Sequence, residues 1–262
     1  MQLINPESTT HKTLDEKFGG YLVIKDFLSP DVCENLEREL VGFFSRHGYL
    51  ESYQPRQRVV IGSAEWSTFL DESPAWAKFS GHLHTQDFIQ WWINEMKGLF
   101  EHLYPSLKTS KLSRVGRKNL LHNRVAKKLR FVRSAEEVFL EGDISLAGPG
   151  YEVGPHHDAE RKRFVGLLYF GSSTQFDSDD GGHLLLLANR DSSRPYQKLR
   201  RQKEKVDDRF EEKARVFPVK NTLCSFVNSK NAIHAVTPYQ PAVLRSRMFF
   251  YFSLCVADKN LQ

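Results

Sequence analysis

Cysteine is scarce in this chain. Cys33, Cys224 and Cys255 are the only three in 262 residues, odd in number, far apart and set among apolar neighbours. That usage excludes a disulfide framework and predicts buried, reduced thiols, as in a cytoplasmic protein. Long hydrophobic runs are also missing. The strongest, Met248 to Ala257, is broken by Ser253 and falls short of the roughly 18 apolar residues a membrane span needs, so no membrane span is expected. The opening MQLINPESTT has neither the basic nor the apolar region of a secretory signal, and a cytoplasmic location is the expectation. A G-x-S-x-G nucleophile turn, a P-loop and a dinucleotide fingerprint are absent, which removes the commonest hydrolase and nucleotide-binding readings. Internal repeats and low-complexity tracts are absent too.

What remains is the composition of an ordinary globular protein, 40% hydrophobic, 12% aromatic and 26% charged. Its length fits one domain over 1–262, with supporting and substrate-facing segments in 1–135 and a core in 136–257 that carries an insertion at about 190–215. The net charge of +5 is uneven. Residues 108–133 hold ten Lys and Arg and no acid, with Phe131 the sole aromatic. Such a run is read as a solvated face, because a single-strand binder interleaves several stacking rings with its cations, and nucleic acid is not an expected partner. Arg194 to Arg215 mixes nine basic with five acidic residues, the pattern of an exposed helix or mobile insertion.

Residues 20–28 are β-prone and lead into Ser29-Pro30-Asp31, a helix start with a capping hydroxyl, a first-turn proline and an acid near the positive end. Val32, Cys33, Leu36, Leu40 and Phe43 then recur at helical spacing. A second helix is predicted from about Thr85 to His102, ended by Pro105, and Arg58 to Ile61 is predicted as a strand. From about residue 136 short apolar runs alternate with turns. Strands are predicted at 138–140, 144–146, 164–170, 183–188, 216–219, 222–227 and 248–256, with turns at Gly148-Pro149-Gly150, 179–182 and 238–241. The fold class is therefore mainly β with flanking helices, a sandwich or closed barrel.

Chemistry concentrates at His156-His157-Asp158, which precedes the strand FVGLLYF. In an extended segment alternate residues share a face, so His156 and Asp158 can address one metal while His157 turns away. Two imidazoles and one carboxylate suit a ferrous ion with open coordination positions. A second imidazole is needed, and His234, 76 residues after Asp158 and just before the closing strand, is the candidate. The triplet alone decides nothing, since about half of one is expected by chance in such a composition. Specificity comes from order: a glycine turn, H-x-D, an apolar strand, a strand led by Gly181-Gly182, a second histidine, and arginines on the last strand. His183 is read as a solvent-facing strand histidine, and His82, His84, His102 and His122 as structural or exposed.

That ordered set, carried by YLVIKDFLSPDVCENL, GYEVGPHHDAERKRFVGLLYF, GGHLLLL, VFPVKNTLCSF and HAVTPYQPAVLRSRMFFYF, resembles the iron(II)- and 2-oxoglutarate-dependent oxygenases, in particular the prolyl-hydroxylase-like branch. The resemblance implies a double-stranded β-helix (jelly-roll) core with flanking helices. It implies Fe(II) held by His156, Asp158 and His234, 2-oxoglutarate as cosubstrate, and an arginine of the last strand on its distal carboxylate. Arg245, eleven residues after His234, fits the family position better than Arg247, which stands where a small hydroxyl residue is common. The family's tyrosine ahead of the first histidine is unmatched, because that region reads Leu146, Ala147 and Gly148. Hydroxylation of an unactivated C–H bond, with dioxygen consumed and succinate and CO2 released, is the implied reaction, and retention of Asp158 argues against halogenation.

The substrate is expected to be a small molecule, glycan or protein, with anionic character favoured by Arg46, Tyr49, Tyr53, Arg56, Arg58 and Trp66 in segment 44–84 and by the insertion near 190–215. Two other classes compete. A cupin-like metal-dependent isomerase or hydrolase would use the triad without a deep arginine. A catalytically inactive module would bind an anionic partner through 108–133.

Overall fold

A computed structural model describes residues 3–15, 17–50, 54–109, 111–112, 137–171, 180–191, 205–241 and 247–256. The elements in chain order are β1 (Thr9–Asp15), β2 (Gly19–Lys25), α1 (Pro30–Arg46), β3 (Arg56–Val60), α2 (Ala64–Glu72), α3 (Pro74–Leu83), α4 (Gln86–Met96), a 3-10 turn (Pro105–Thr109), β4 (Lys111–Leu112), β5 (Glu137–Ala147), β6 (Val153–His156), β7 (Lys162–Phe170), β8 (Leu184–Asn189), β9 (Phe210–Val216), β10 (Leu223–Val227), β11 (Ile233–Val236) and β12 (Arg247–Val256). The chain is mainly β with flanking helices. Among the described residues no helix is long and apolar enough to cross a membrane.

Two antiparallel sheets organise the strands. The larger runs β1-β2-β10-β7-β12-β5-β3, with β4 joining β5 in parallel, and the smaller runs β6-β11-β8-β9. From β5 onward the chain crosses repeatedly from one sheet to the other. Period-two alternation divides the side chains of the large sheet between two cores. On β7, Phe164, Leu168 and Phe170 join the helices, while Val165, Leu167 and Tyr169 face the small sheet. On β12, Met248, Phe250, Phe252 and Leu254 face the helices and Phe249 faces the small sheet. A strand covered on both faces reads as an unbroken apolar run, which is how 248–256 looks in the sequence.

The helices bury aromatic wedges against that sheet. Trp76 packs 5.4 Å from Phe170 and 5.6 Å from Phe250, and its Nε1 donates to Leu36 O at 2.7 Å. Trp92 lies 4.8 Å from Phe252 and donates to Ser225 Oγ at 2.9 Å. Each contributes on the order of 2–3 kcal/mol by burial, and its indole N–H is satisfied rather than stranded. Glu39 of α1 accepts from the backbone N–H of Ala75 and Trp76, capping α3 from a neighbouring helix.

The expected α1 stripe is buried, with Phe44 added, although Ser29 makes no side-chain capping hydrogen bond. The helix predicted to His102 stops at Met96, because Gly98 takes a left-handed φ of 82° and turns the chain, while Leu99 and Phe100 still bury. The runs 138–140 and 144–146 are one strand, β5. The strand expected at 216–219 is displaced to Phe210–Val216, so the far end of the expected insertion is an edge of the small sheet, with Arg215 paired to Glu212 at 2.8 Å rather than helical. The basic run 108–133 lies almost wholly outside the described residues.

Candidate functional site

The sheet register brings the histidines together. His234 on β11 stands opposite His156 on β6 and, on its other side, opposite Leu186 of β8. Leu186 faces the core between the sheets, and the two imidazoles, on the same face, have ring centroids 4.1 Å apart. His156 Nδ1 lies 2.9 Å from Gly154 O and His234 Nδ1 lies 3.2 Å from Ala232 O. A carbonyl can only accept, so Nδ1 carries the proton in each ring and Nε2 is the basic nitrogen.

Asp158 completes the group, its Oδ2 3.6 Å from His234 Nε2. One potential ligand atom from each of His156, Asp158 and His234 lies within 4.8 Å of the others. Burial acts to raise the Asp158 carboxyl, but the electrostatic influence of the adjacent His234 and of the Lys162 ammonium, with a hydrogen bond from Lys162, outweighs it and holds the group down at about 2. Lys162 Nζ donates to Asp158 Oδ1 at 2.7 Å and also to the Tyr251 hydroxyl, which in turn donates to Asp158 Oδ2 at 3.2 Å.

His157 is turned out of this group, its Nδ1 3.1 Å from Asp158 O, and borders a cavity of about 260 Å³ with Tyr104, Arg163 and Lys230. That cavity shares Asp158 but neither histidine of the triad, so it flanks the turn rather than forming the bowl over it.

Further along the same interior, Arg247 is buried at 5% exposure. Its guanidinium carbon stands 5.0 Å from the Tyr169 ring and 5.1 Å from the Phe249 ring, and Nη1 donates to Gly182 O. Nε and Nη2 of Arg247 and the Tyr169 hydroxyl are buried and, apart from the approach of the guanidinium and the phenol to each other, reach no hydrogen-bond partner among the described residues. Burial raises the Tyr169 phenol, against the Arg247 charge, so it stays protonated and can donate. Gly181 and Gly182 have φ of 73° and 71°, and a side chain at Gly181 would meet Pro238 O at 1.9 Å. Only glycine passes the strand lead this close to the chain that follows His234. Arg245 lies outside the described residues.

Several sequence expectations change here. His183 is buried and packs 4.6 Å from Phe217 instead of facing solvent from a strand. Of the residues proposed to meet substrate, Trp66 is buried in the helical core, Tyr49 packs on Phe44, and Arg46 pairs with Glu72 at 2.9 Å. Arg56 donates to Ser145 and Asp143, each at 2.9 Å, and lies 5.3 Å from Phe249, while Arg58 reaches the same Asp143 at 3.8 Å. Tyr53 is outside the described residues. Tyr169, Lys162 and Tyr251 were missed. Tyr169 reads as one more apolar residue of FVGLLYF, and only its parity with Val165 and Leu167 marks the face it occupies.

No family model matches the sequence, and no curated protein matches it. Solved structures do. The prolyl hydroxylase of Trichoplax adhaerens, in complex with a hypoxia inducible factor oxygen degradation domain peptide fragment, superposes with a TM-score of 0.51 at 12% identity, covering 90% of this chain and 84% of that one. A prolyl 4-hydroxylase from Phytophthora capsici gives 0.49 at 15% identity, covering 93% of this chain, which spans 61% of that protein's length. HygX from Streptomyces hygroscopicus, with nickel and 2-oxoglutarate bound, gives 0.47 at 12% identity over 91% of this chain and 83% of that one. At these identities the likeness to the Trichoplax protein is one of fold.

Proposed function

We propose that this chain is an Fe(II)- and 2-oxoglutarate-dependent oxygenase that hydroxylates a C–H bond of its substrate, built on a double-stranded β-helix formed by β5 to β12. One observation carries the reading: a His-Asp-His group and a buried arginine that has no carboxylate partner among the described residues occupy the same interior between the two sheets. A cupin-like isomerase or hydrolase needs only the first. A buried cation that lacks a carboxylate partner among the described residues is costly unless a ligand supplies the anion.

His156, Asp158 and His234 would hold the metal, which when bound supplies the coupled oxidation of cosubstrate and substrate by dioxygen. The chain's own part is orientation. The Nδ1 hydrogen bonds to Gly154 O and Ala232 O fix both imidazole planes. Asp158 stays ionised throughout the working pH range. Arg247 and Tyr169 would receive the distal carboxylate, the guanidinium through paired charge-assisted hydrogen bonds and the phenol through one more. Arg247 and Tyr251 are four residues apart on one face of β12, roughly 13 Å of strand. A five-carbon diacid plus the reach of an arginine side chain covers that span. Phe249 and Leu167 line the interior and exclude water.

Anaerobic addition of Fe(II) to protein with 2-oxoglutarate tests the reading through its weak visible charge-transfer band. The band should appear in the parent protein and vanish in Asp158→Ala. Absence of metal binding in folded parent protein would refute it, and metal binding unaffected by 2-oxoglutarate would favour the isomerase or hydrolase class.

A further inference from the structure

Lys162 holds a position that the coordination of a metal does not require. It is the first residue of β7, four after Asp158, and the turn between them is clamped from outside. Buried Asn228 donates through Nδ2 to Ala159 O and Lys162 O, each at 3.0 Å, and Lys162 N donates to Ala159 O at 3.0 Å. The Lys162 and Asp158 side chains are only 13% and 12% exposed, so solvent screens their pair poorly. Nζ contacts Oδ1, whereas the oxygen nearest His234 is Oδ2, which the Tyr251 hydroxyl also approaches. Ser253 Oγ donates to that hydroxyl at 3.1 Å, fixing it in turn.

The geometry points to Lys162 as a charge-setting, positioning residue for the metal centre, a reading that rests on the metal site proposed above. Its ammonium takes up Oδ1 and leaves Oδ2 to face the histidines, so Asp158 presents one oxygen rather than two. The same fixed cation offsets the carboxylate's charge. A divalent ion is then held less tightly, its trivalent form is disfavoured further, and an anionic cosubstrate meets a more positive site.

A purely structural ion pair makes the opposite forecast. If Lys162 served only to hold Asp158 in place, its removal would loosen the carboxylate and weaken metal binding. The carboxylate has other supports, however: the Asn228 clamp on the turn and the Tyr251 hydroxyl both survive the loss of the ammonium. Charge should therefore dominate. Removing a unit positive charge one carboxylate away from a divalent ion in a poorly screened interior should tighten binding on the order of ten- to a hundredfold.

The test is calorimetric titration of Co(II) alone into the full chain, with folding checked by circular dichroism. Lys162→Met should bind Co(II) about ten- to a hundredfold more tightly, and Lys162→Arg, which keeps the charge, should stay near the parent. Where Lys162→Met does not fold, Lys162→Gln serves in its place. The Fe(III)/Fe(II) midpoint potential should fall in the neutral variant. Equal or weaker Co(II) binding in a folded neutral variant overturns the role of Lys162 while leaving the triad standing. No Co(II) binding by the folded parent removes the metal site and this role together.

Discussion

Arg247 offers the sharpest test of the oxygenase reading, because its free-protein and ligand-bound contributions have opposite signs. The guanidinium is buried, makes a hydrogen bond to Gly182 O, and has no carboxylate partner among the described residues. In Arg247→Met a chain of similar length fills the space without the charge. The protein without cosubstrate should lose little stability or gain some, because a buried charge that lacks a carboxylate partner among the described residues disappears; comparable replacements gain about 1–4 kcal/mol. Cosubstrate binding should suffer instead. Truncating one partner of a buried charge-assisted pair costs about 2–5 kcal/mol, or roughly 30- to several-thousand-fold in affinity. Tyr169→Phe removes a single hydrogen bond to a charged group, about 1.5–3 kcal/mol. Calorimetric titration of 2-oxoglutarate into metal-loaded protein, beside urea unfolding of the unliganded variants, separates the two effects. Arg245→Met belongs in the same series, since the family resemblance of the sequence favours that residue. An affinity for 2-oxoglutarate unchanged in Arg247→Met would refute the assignment, and a large loss in Arg245→Met alone would move the role there. A loss of about 3–5 kcal/mol in the stability of unliganded Arg247→Met would show the guanidinium to be paired within the fold.

Two further predictions concern the scaffold. Asn221 sits at φ 60° and joins β10 to the segment before α1 by paired bonds with the backbone of Leu28, both at 2.8 Å, so Asn221→Ala should cost about 2–4 kcal/mol in urea unfolding, and a change below about 0.5 kcal/mol would contradict this. Burial pushes the thiols of Cys33 and Cys224 up to about 12 and Cys255 higher still, so none should react with an aromatic disulfide reagent at mildly alkaline pH until the protein is unfolded. Because the folded state favours the neutral thiol, stability should fall as pH climbs from the ordinary thiol range near 9 toward 12. Rapid labelling of a native thiol, or stability that rises over that window, would count against the burial argument.

The site was legible wherever period two alone decides a side chain's direction. His156 and Asp158 stand together with His157 outside, as alternate residues of an extended segment would, and the glycines at 181 and 182, read in the sequence as part of a turn, take left-handed backbone that passes close to Pro238 O. The parts that were not legible depend on what packs against them. β1 is an exposed polar edge strand with no apolar alternation to read, and β6 and β11 are four residues each, one of them containing Gly154 and Pro155. α2 and α3 carried usable signals, Ser63 as a cap and Pro74 in a first turn, but their stripes of Trp66, Phe69, Trp76 and Phe79 are too short to stand out. Lys162 could not be told from any strand-initial lysine, because its partners Asp158 and Tyr251 meet only when β7 and β12 pair.

The small sheet also explains how a short, unremarkable strand can place a reactive group accurately. On β11, His234 and Val236 point inward, whereas Ile233 and Ala235 belong to a second buried cluster with Leu185 and Leu187 of β8 on the opposite face. A slip of one residue would send His234 out into that apolar cluster and bring Ile233 or Ala235 to the position opposite His156. The imidazole would then be buried among apolar side chains with its Nε2 parted from Asp158, at a cost of about 1–3 kcal/mol before any packing loss is counted. Both faces of β11 are thus committed in alternation, and the register that buries the isoleucine correctly is the one that sets His234 across from His156. Precision at the candidate metal site follows from hydrophobic patterning on residues that never touch it.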